Sequence, residues 1–226
     1  MTSLILAAVF FLALHLVVSA SGLRAPLIGL LGERAYRVVF ALASLGGVAW
    51  LAKAYGAAPA IALWDAGLAG RAIALGVMPV AALLVVAGLA APNPTALIYL
   101  GSIDAEAARG IFRITRHPVM TGIALWAAVH LIANGDLASV LLFGTFLVTA
   151  LFGPPVIDRR RARQWGASWA AFAAVTSVVP FAAIAAGRNR FVAGEIGWWR
   201  LGLGLLLFAV LLAGHRWAFG LSPLAG

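Results

Sequence analysis

Four histidines and a short arginine-rich run are the residues in this chain whose types could do chemistry. The histidines are His15, His117, His130 and His215. A neutral imidazole offers one donor and one acceptor, and the acceptor nitrogen suits iron. Cys is absent, so thiolate ligands and disulfides are excluded. His15 lies twelve residues beyond Ser3, and His130 twelve beyond Pro118. On helices entering a membrane from opposite sides, each would sit about 18 Å along its helix. That arithmetic predicts two imidazoles on different helices whose depths differ by only several ångströms in a core about 30 Å thick. Such a pair could hydrogen-bond neighbouring helices or hold an object between them, of which an iron porphyrin with two axial histidines is one. Both readings stand on the residues alone.

The second constellation is Arg113-Ile114-Thr115-Arg116-His117-Pro118. Pro118 suits the first position of a helix, where its missing N–H costs nothing. Arg113 and Arg116 would then stand beside unpaired backbone N–H groups, a natural seat for a lipid phosphate, a haem propionate or a nucleotide-like cofactor. The competing reading is that they anchor the helix to anionic headgroups. Trp126 is four residues before His130, so it shares that helix face and could line the same pocket. The run Asp158-Arg159-Arg160-Arg161-Ala162-Arg163 reads as a solvated cap at the headgroups. Glu33, Arg34 and Arg37 form a small charged cluster that could pair with the Arg116 region.

These residues must be positioned by membrane helices. Of 226 residues 64% are hydrophobic and 10% charged, with mean hydropathy +1.04. A soluble globular chain carries about 45–50% apolar and about 25% charged residues. A soluble enzyme, a disordered chain and a secreted disulfide scaffold are therefore excluded. The net charge of +9, from 16 Lys and Arg against 7 Asp and Glu, points to an anionic lipid surface rather than to nucleic acid. The fold class is all-α: a polytopic integral membrane helical bundle, residues 1–226 forming one domain without internal repeats. Six stretches approach the roughly 20 apolar residues that a span needs: Ser3–Ala20, Val38–Tyr55, Ala72–Ala91, Pro118–Ala133, Leu137–Ile157 and Gly197–Phe219. The first lacks a basic leader and a cleavage site, and reads as a retained helix.

Placing the N-terminus outside leaves only Lys53, Arg71 and Arg216 of the 16 cations on the outer side. That bias follows the positive-inside rule and, in the expected bacterial inner membrane, predicts both termini periplasmic. Trp165–Gly187 carries no charge but has Arg at both flanks and Pro180 within. It reads as a helix in the cytoplasmic interface, with Trp165, Trp169 and Phe172 as a lipid-facing stripe; a seventh span is the alternative. Trp50, Trp64, Trp198, Trp199 and Trp217 near span ends read as interfacial belt residues.

His15, Ser21 to Arg24, Leu31 to Arg37, Arg113 to Pro118, Trp126 to His130 and Asn134-Gly135-Asp136 together resemble the NnrU family of bacterial membrane proteins. That family is associated with denitrification and related to 15-cis-zeta-carotene isomerase. The resemblance covers roughly the first 180 residues. It implies haem b held between His15 and His130; on the reading of the residues, Arg113 and Arg116 would neutralise its propionates, and His117 and Trp126 complete the expected cofactor-binding set. The isomerases carry a Cys three residues before the second histidine; Ala127 stands there, which removes a ligand switch based on that thiol. The implied role is redox or accessory work in nitrite and nitric-oxide metabolism, or isomerase-like chemistry on an apolar, isoprenoid-like substrate. Arg116-His117-Pro118 followed by a hairpin and Val179-Pro180 is also similar to isoprenylcysteine and phospholipid methyltransferases, which bind S-adenosylmethionine. Here their paired glutamates are replaced by Asp158 and arginines, and their Tyr by Trp169 and Phe172. A cofactor-free assembly subunit is the third reading.

Overall fold

A computed structural model describes residues 1–19, 23–96, 99, 103 and 105–224. Helix α1 (Thr2–Leu12) runs on into a π-helical turn, Ala13–Val18. Helices α2 (Arg24–Leu31), α3 (Glu33–Gly56) and α4 (Gly67–Ala90) follow. After a connecting segment come α5 (Ile111–Ile114), α6 (Pro118–Ala133), α7 (Leu137–Trp165), α8 (Ala167–Ala174), α9 (Ala182–Ala185) and α10 (Trp198–Phe219). Helices α3, α4, α7 and α10, of 24, 24, 29 and 22 residues, are long and apolar enough to cross a membrane. The apolar helices Thr2–Val18 and Pro118–Ala133 are shorter, about 26 and 24 Å at 1.5 Å per residue. The protein is an all-α helical membrane bundle. No residue forces α7 to stop at Ile157, and it continues through the arginine run to Gly166, where φ of +50° ends it.

The helices pack in the order α3, α1, α7, α6, α4, α10. Apolar attraction between helices is weak in lipid, so close backbone approach through small residues must hold them. At the α4–α6 seam a Cβ on Gly122 would come within 2.7 Å of the Ala81 carbonyl oxygen, and one on Gly88 within 2.8 Å of the Pro118 ring. Large apolar side chains face outward instead, among them Leu42, Leu45, Leu89, Leu206 and Trp217. Helix α10 is the extreme case: only 6% of its apolar window is buried.

Helix direction alternates, so one end of the bundle collects Lys53, Arg71 and Arg216 while the remaining arginines gather at the other, the arginine end. Two apolar cores result. One, around Leu4, Ala7, Phe11, Leu51 and Ala138, lies between α1, α3 and α7. The other, around Leu84, Ile111, Phe112, Trp169, Phe172 and Ile196, closes the arginine end.

The Trp165–Gly187 segment differs from the sequence expectation. It neither spans nor lies flat as one helix: α8 has 8 residues, and turns and the four-residue α9 follow. Trp169 and Phe172 are 4% and 0% exposed. The expected lipid-facing stripe is thus packed inward, because the reversal at Gly166 folds α8 back over the loops that need apolar cover. Trp165 ends α7 and holds the Arg161 guanidinium over its ring at 4.3 Å.

Candidate functional site

His15 sits in the π-helical turn that prolongs α1, a distortion common at functional positions. Its Nδ1 donates to the Phe11 carbonyl oxygen at 2.9 Å. His130 lies in the last turn of α6, where its Nδ1 donates to the Trp126 carbonyl oxygen at 2.8 Å. A carbonyl only accepts, so both rings carry their proton on Nδ1 and keep a lone pair on Nε2. The Ser44 hydroxyl is 3.5 Å from His15 Nε2 but donates to the Phe40 carbonyl oxygen at 2.8 Å. Anchoring one imidazole nitrogen on a backbone carbonyl is the second-layer arrangement that metal-bound histidines use.

One aromatic seam joins the two histidines. His15 stacks on Phe11 with ring centres 4.0 Å apart, and Phe11 lies 5.3 Å from Phe146. Phe146 is 5.3 Å from Trp126, which is 5.4 Å from His130. Phe143 closes on His130 at 4.8 Å, and Phe40 on His15 at 5.4 Å. Helices α1 and α6 run in opposite directions, and each histidine lies one turn beyond its seam partner. A single iron fits this donor set in chemistry: two neutral imidazoles with free Nε2 atoms and apolar walls. Phe146, in contact with both Phe11 and Trp126, lies on the path of rings between the two imidazoles. Among the described residues no group of three or more metal-ligating side chains occurs.

Arg113, Arg116 and His117 are not on this seam. They brace the arginine end. Arg116 directs Nε and Nη2 to Asp158 Oδ2 at 2.9 and 2.6 Å, while His117 Nε2 meets Asp158 Oδ1 at 2.7 Å. His117 is 1% exposed, and its Nδ1 has no hydrogen-bond partner among the described residues. The Thr115 hydroxyl donates to the Val178 carbonyl oxygen and accepts from the His117 amide, and the Phe181 amide donates to the Ile114 carbonyl oxygen. That last bond holds Phe181 at φ +63°, an unusual conformation for a side chain with a Cβ.

Arg113 grips Glu195 through Nε and Nη2 at 2.7 and 2.8 Å and reaches Asn189 Oδ1 at 2.6 Å. The Gly110 amide donates to the same carboxylate at 2.9 Å. Gly110 must be glycine, since its φ is +56° and a Cβ would stand 2.7 Å from the Glu195 carbonyl oxygen. The Arg113 hydrogen bonds, then that amide, hold the Glu195 carboxyl down to about 2, and Glu195 in turn raises the Arg113 pKa.

The expected anion seat at Arg113 and Arg116 is thus filled by the protein's own carboxylates. Asp158 is no solvated cap but the centre of a buried network. Its only sequence signal was its solitary place before four arginines; Glu195, 82 residues from Arg113, gave none. Glu33 pairs with Arg37 at 2.6 Å, not with the Arg116 region. Trp126 does share the seam with His130.

The NnrU protein family matches residues 3–223, nearly the whole chain and beyond the expected first 180 residues. The chain belongs to the NnrU family. This NnrU protein is 39% identical over 80 residues to 15-cis-zeta-carotene isomerase, chloroplastic, of Arabidopsis thaliana, covering 35% of this chain and 22% of that protein. It is 38% identical over 81 residues to the enzyme of the same name from Zea mays, covering 36% and 22%. The matched part is thus about a fifth of the length of these relatives. No solved structure matches.

Proposed function

We propose that this NnrU protein holds haem b within the membrane between His15 and His130. Its role would be redox or isomerase-like work on an apolar, isoprenoid-like substrate that enters from the bilayer. The observation that carries the reading is the shared anchoring of the two imidazoles, each Nδ1 tied to its own helix and each Nε2 left with a lone pair. Bound iron supplies one-electron and Lewis-acid chemistry at that point. The chain's residues do the rest. Phe11 and Phe40 fix the plane of His15, Phe143 and Trp126 that of His130, and the apolar seam excludes water. The names of the plant relatives favour an isoprenoid substrate. We place the arginine end in the cytoplasm of a bacterial inner membrane, with both termini periplasmic, on the charge segregation. An accessory role in nitrite and nitric-oxide metabolism is the finer reading that the family resemblance adds.

The deciding test is the reduced-minus-oxidised visible spectrum of the purified protein beside His15→Phe and His130→Phe. A sharp b-type α-band, lost or shifted in both variants, is expected. A folded, colourless protein from cells with ample haem would overturn the cofactor and leave an assembly role.

A further inference from the structure

A cavity of about 240 Å³ opens at the arginine end, between the end of α4 and the start of α10. Ala91, Pro92, Phe112 and Ile196 give it apolar walls, and Arg200 lines it from the first turn of α10. The two carboxylates on its lining each have a guanidinium of their own: Glu106 has Arg109 at 3.2 Å, and Glu195 has Arg113 at 2.7 Å. Arg200 forms no ion pair with a described residue. Its Nη1 donates to the Ile196 carbonyl oxygen at 2.9 Å, and its guanidinium carbon lies 4.7 Å from the centre of the Trp199 ring. Its Nε is buried, and the edge that carries Nε and Nη2 makes no hydrogen bond to a described residue.

That edge is the fork with which a guanidinium grips two oxygens of one phosphate or carboxylate. A buried charged donor without an acceptor costs more than a neutral one, so an oxyanion that enters the cavity and meets the fork also stabilises the fold. The setting selects a lipid as its carrier. Trp198 and Trp199, beside Arg200, are 77% and 58% exposed, as indole rings are at the level of the headgroups. From there α10 runs on as an apolar helix with only 6% of its window buried, so the bilayer lies against it. The cavity is also smaller than the roughly 300–1,000 Å³ that encloses a whole small ligand. It has room for one part of an amphiphile whose chains stay in the bilayer.

We propose that this cavity binds the phosphate of a membrane phospholipid. Arg200 grips the phosphate oxygens through Nε and Nη2, and the apolar walls take the adjoining part of the lipid. The site is separate from the histidine seam and does not rest on haem.

The test titrates delipidated protein in detergent with phosphatidylglycerol, with a diacylglycerol of the same chains, and with inorganic phosphate. Native mass spectrometry reads the adducts and thermal unfolding reads the stabilisation. The variants are Arg200→Gln; Ala91→Phe, which fills the cavity and leaves Arg200 in place; and Arg216→Gln at the far end of the bundle. Wild type and Arg216→Gln should retain a phosphatidylglycerol adduct that falls at least about tenfold in the other two variants, as expected for a lost charge-assisted pair. Phosphatidylglycerol should raise the wild-type Tm by roughly 2–4 °C, and that rise should vanish in Arg200→Gln. Should Arg200→Gln not fold, Ala91→Phe decides, since it removes the space and keeps the charge. Adducts of wild-type strength in either cavity variant would overturn the site. Diacylglycerol stabilising as well as phosphatidylglycerol would show that the phosphate is not read, and inorganic phosphate alone reproducing the shift would overturn the lipid.

Discussion

The seam and the arginine end satisfy their polar groups in opposite ways. Each seam histidine donates to a carbonyl four residues back on its own helix. The arginine end closes over long range, with Arg116 bonded to Asp158 42 residues away and Arg113 to Glu195 82 residues away. Local bonding satisfies one nitrogen and leaves the other open to a ligand. Long-range pairing consumes both partners and ties segments together. The arginines of the 113–118 run, the stronger ligand candidates by residue type, are therefore braces, whereas each seam histidine keeps an open nitrogen, as does His117 at its buried Nδ1.

The largest effect should come from cutting the brace. Asp158→Ala leaves the Arg116 charge and the fully buried His117 without their partner, and should cost about 3–5 kcal/mol in denaturant unfolding. A loss no larger than that of a surface substitution would break the contrast. Trp169→Ala should follow at about 3–4 kcal/mol through its cavity in the arginine-end core. A lipid-facing Trp169 would instead give a near-neutral result.

Glu195→Gln should cost about 1–3 kcal/mol, since the partly buried Arg113 loses its charged acceptor. The pH dependence sharpens this. The Glu195 carboxyl sits at about 2 in the folded protein, below the ordinary glutamate value of 4.5. Between these values the unfolded chain binds the extra proton, so the pair's stabilisation is full above pH 4.5 and lost as pH falls toward 2. Glu195→Gln should remove that portion of the acid sensitivity, read as unfolding midpoint against pH.

The smallest effect on stability belongs to the seam. His15→Phe and His130→Phe conserve an aromatic ring among aromatic neighbours, and each should shift the haem-free protein by less than about 1.5 kcal/mol. On the proposed haem reading, each should also lose or shift the visible α-band. Large destabilisation in the haem-free form would make the histidines structural and erase the contrast.

Sequence alone determined the solvent, the helical class and the charge polarity, because each follows from residue type summed over a span. Sixty-four per cent apolar composition leaves no soluble option, and every expected span coincides with an apolar helix in the described residues. His130 and Trp126 were readable as neighbours because a four-residue helical spacing is local. What tertiary structure decided were the contacts between distant segments. The Trp169–Phe172 stripe was read as facing lipid because an apolar stripe looks the same against lipid as against protein. Whether Arg113 and Arg116 face a ligand or a carboxylate depended on Glu195 and Asp158, which chain folding brings in from far along the sequence. That Phe146 of α7 links the His15 and His130 ring clusters, too, is set by how α1 and α6 pack against α7, a register that no residue count along either helix contains.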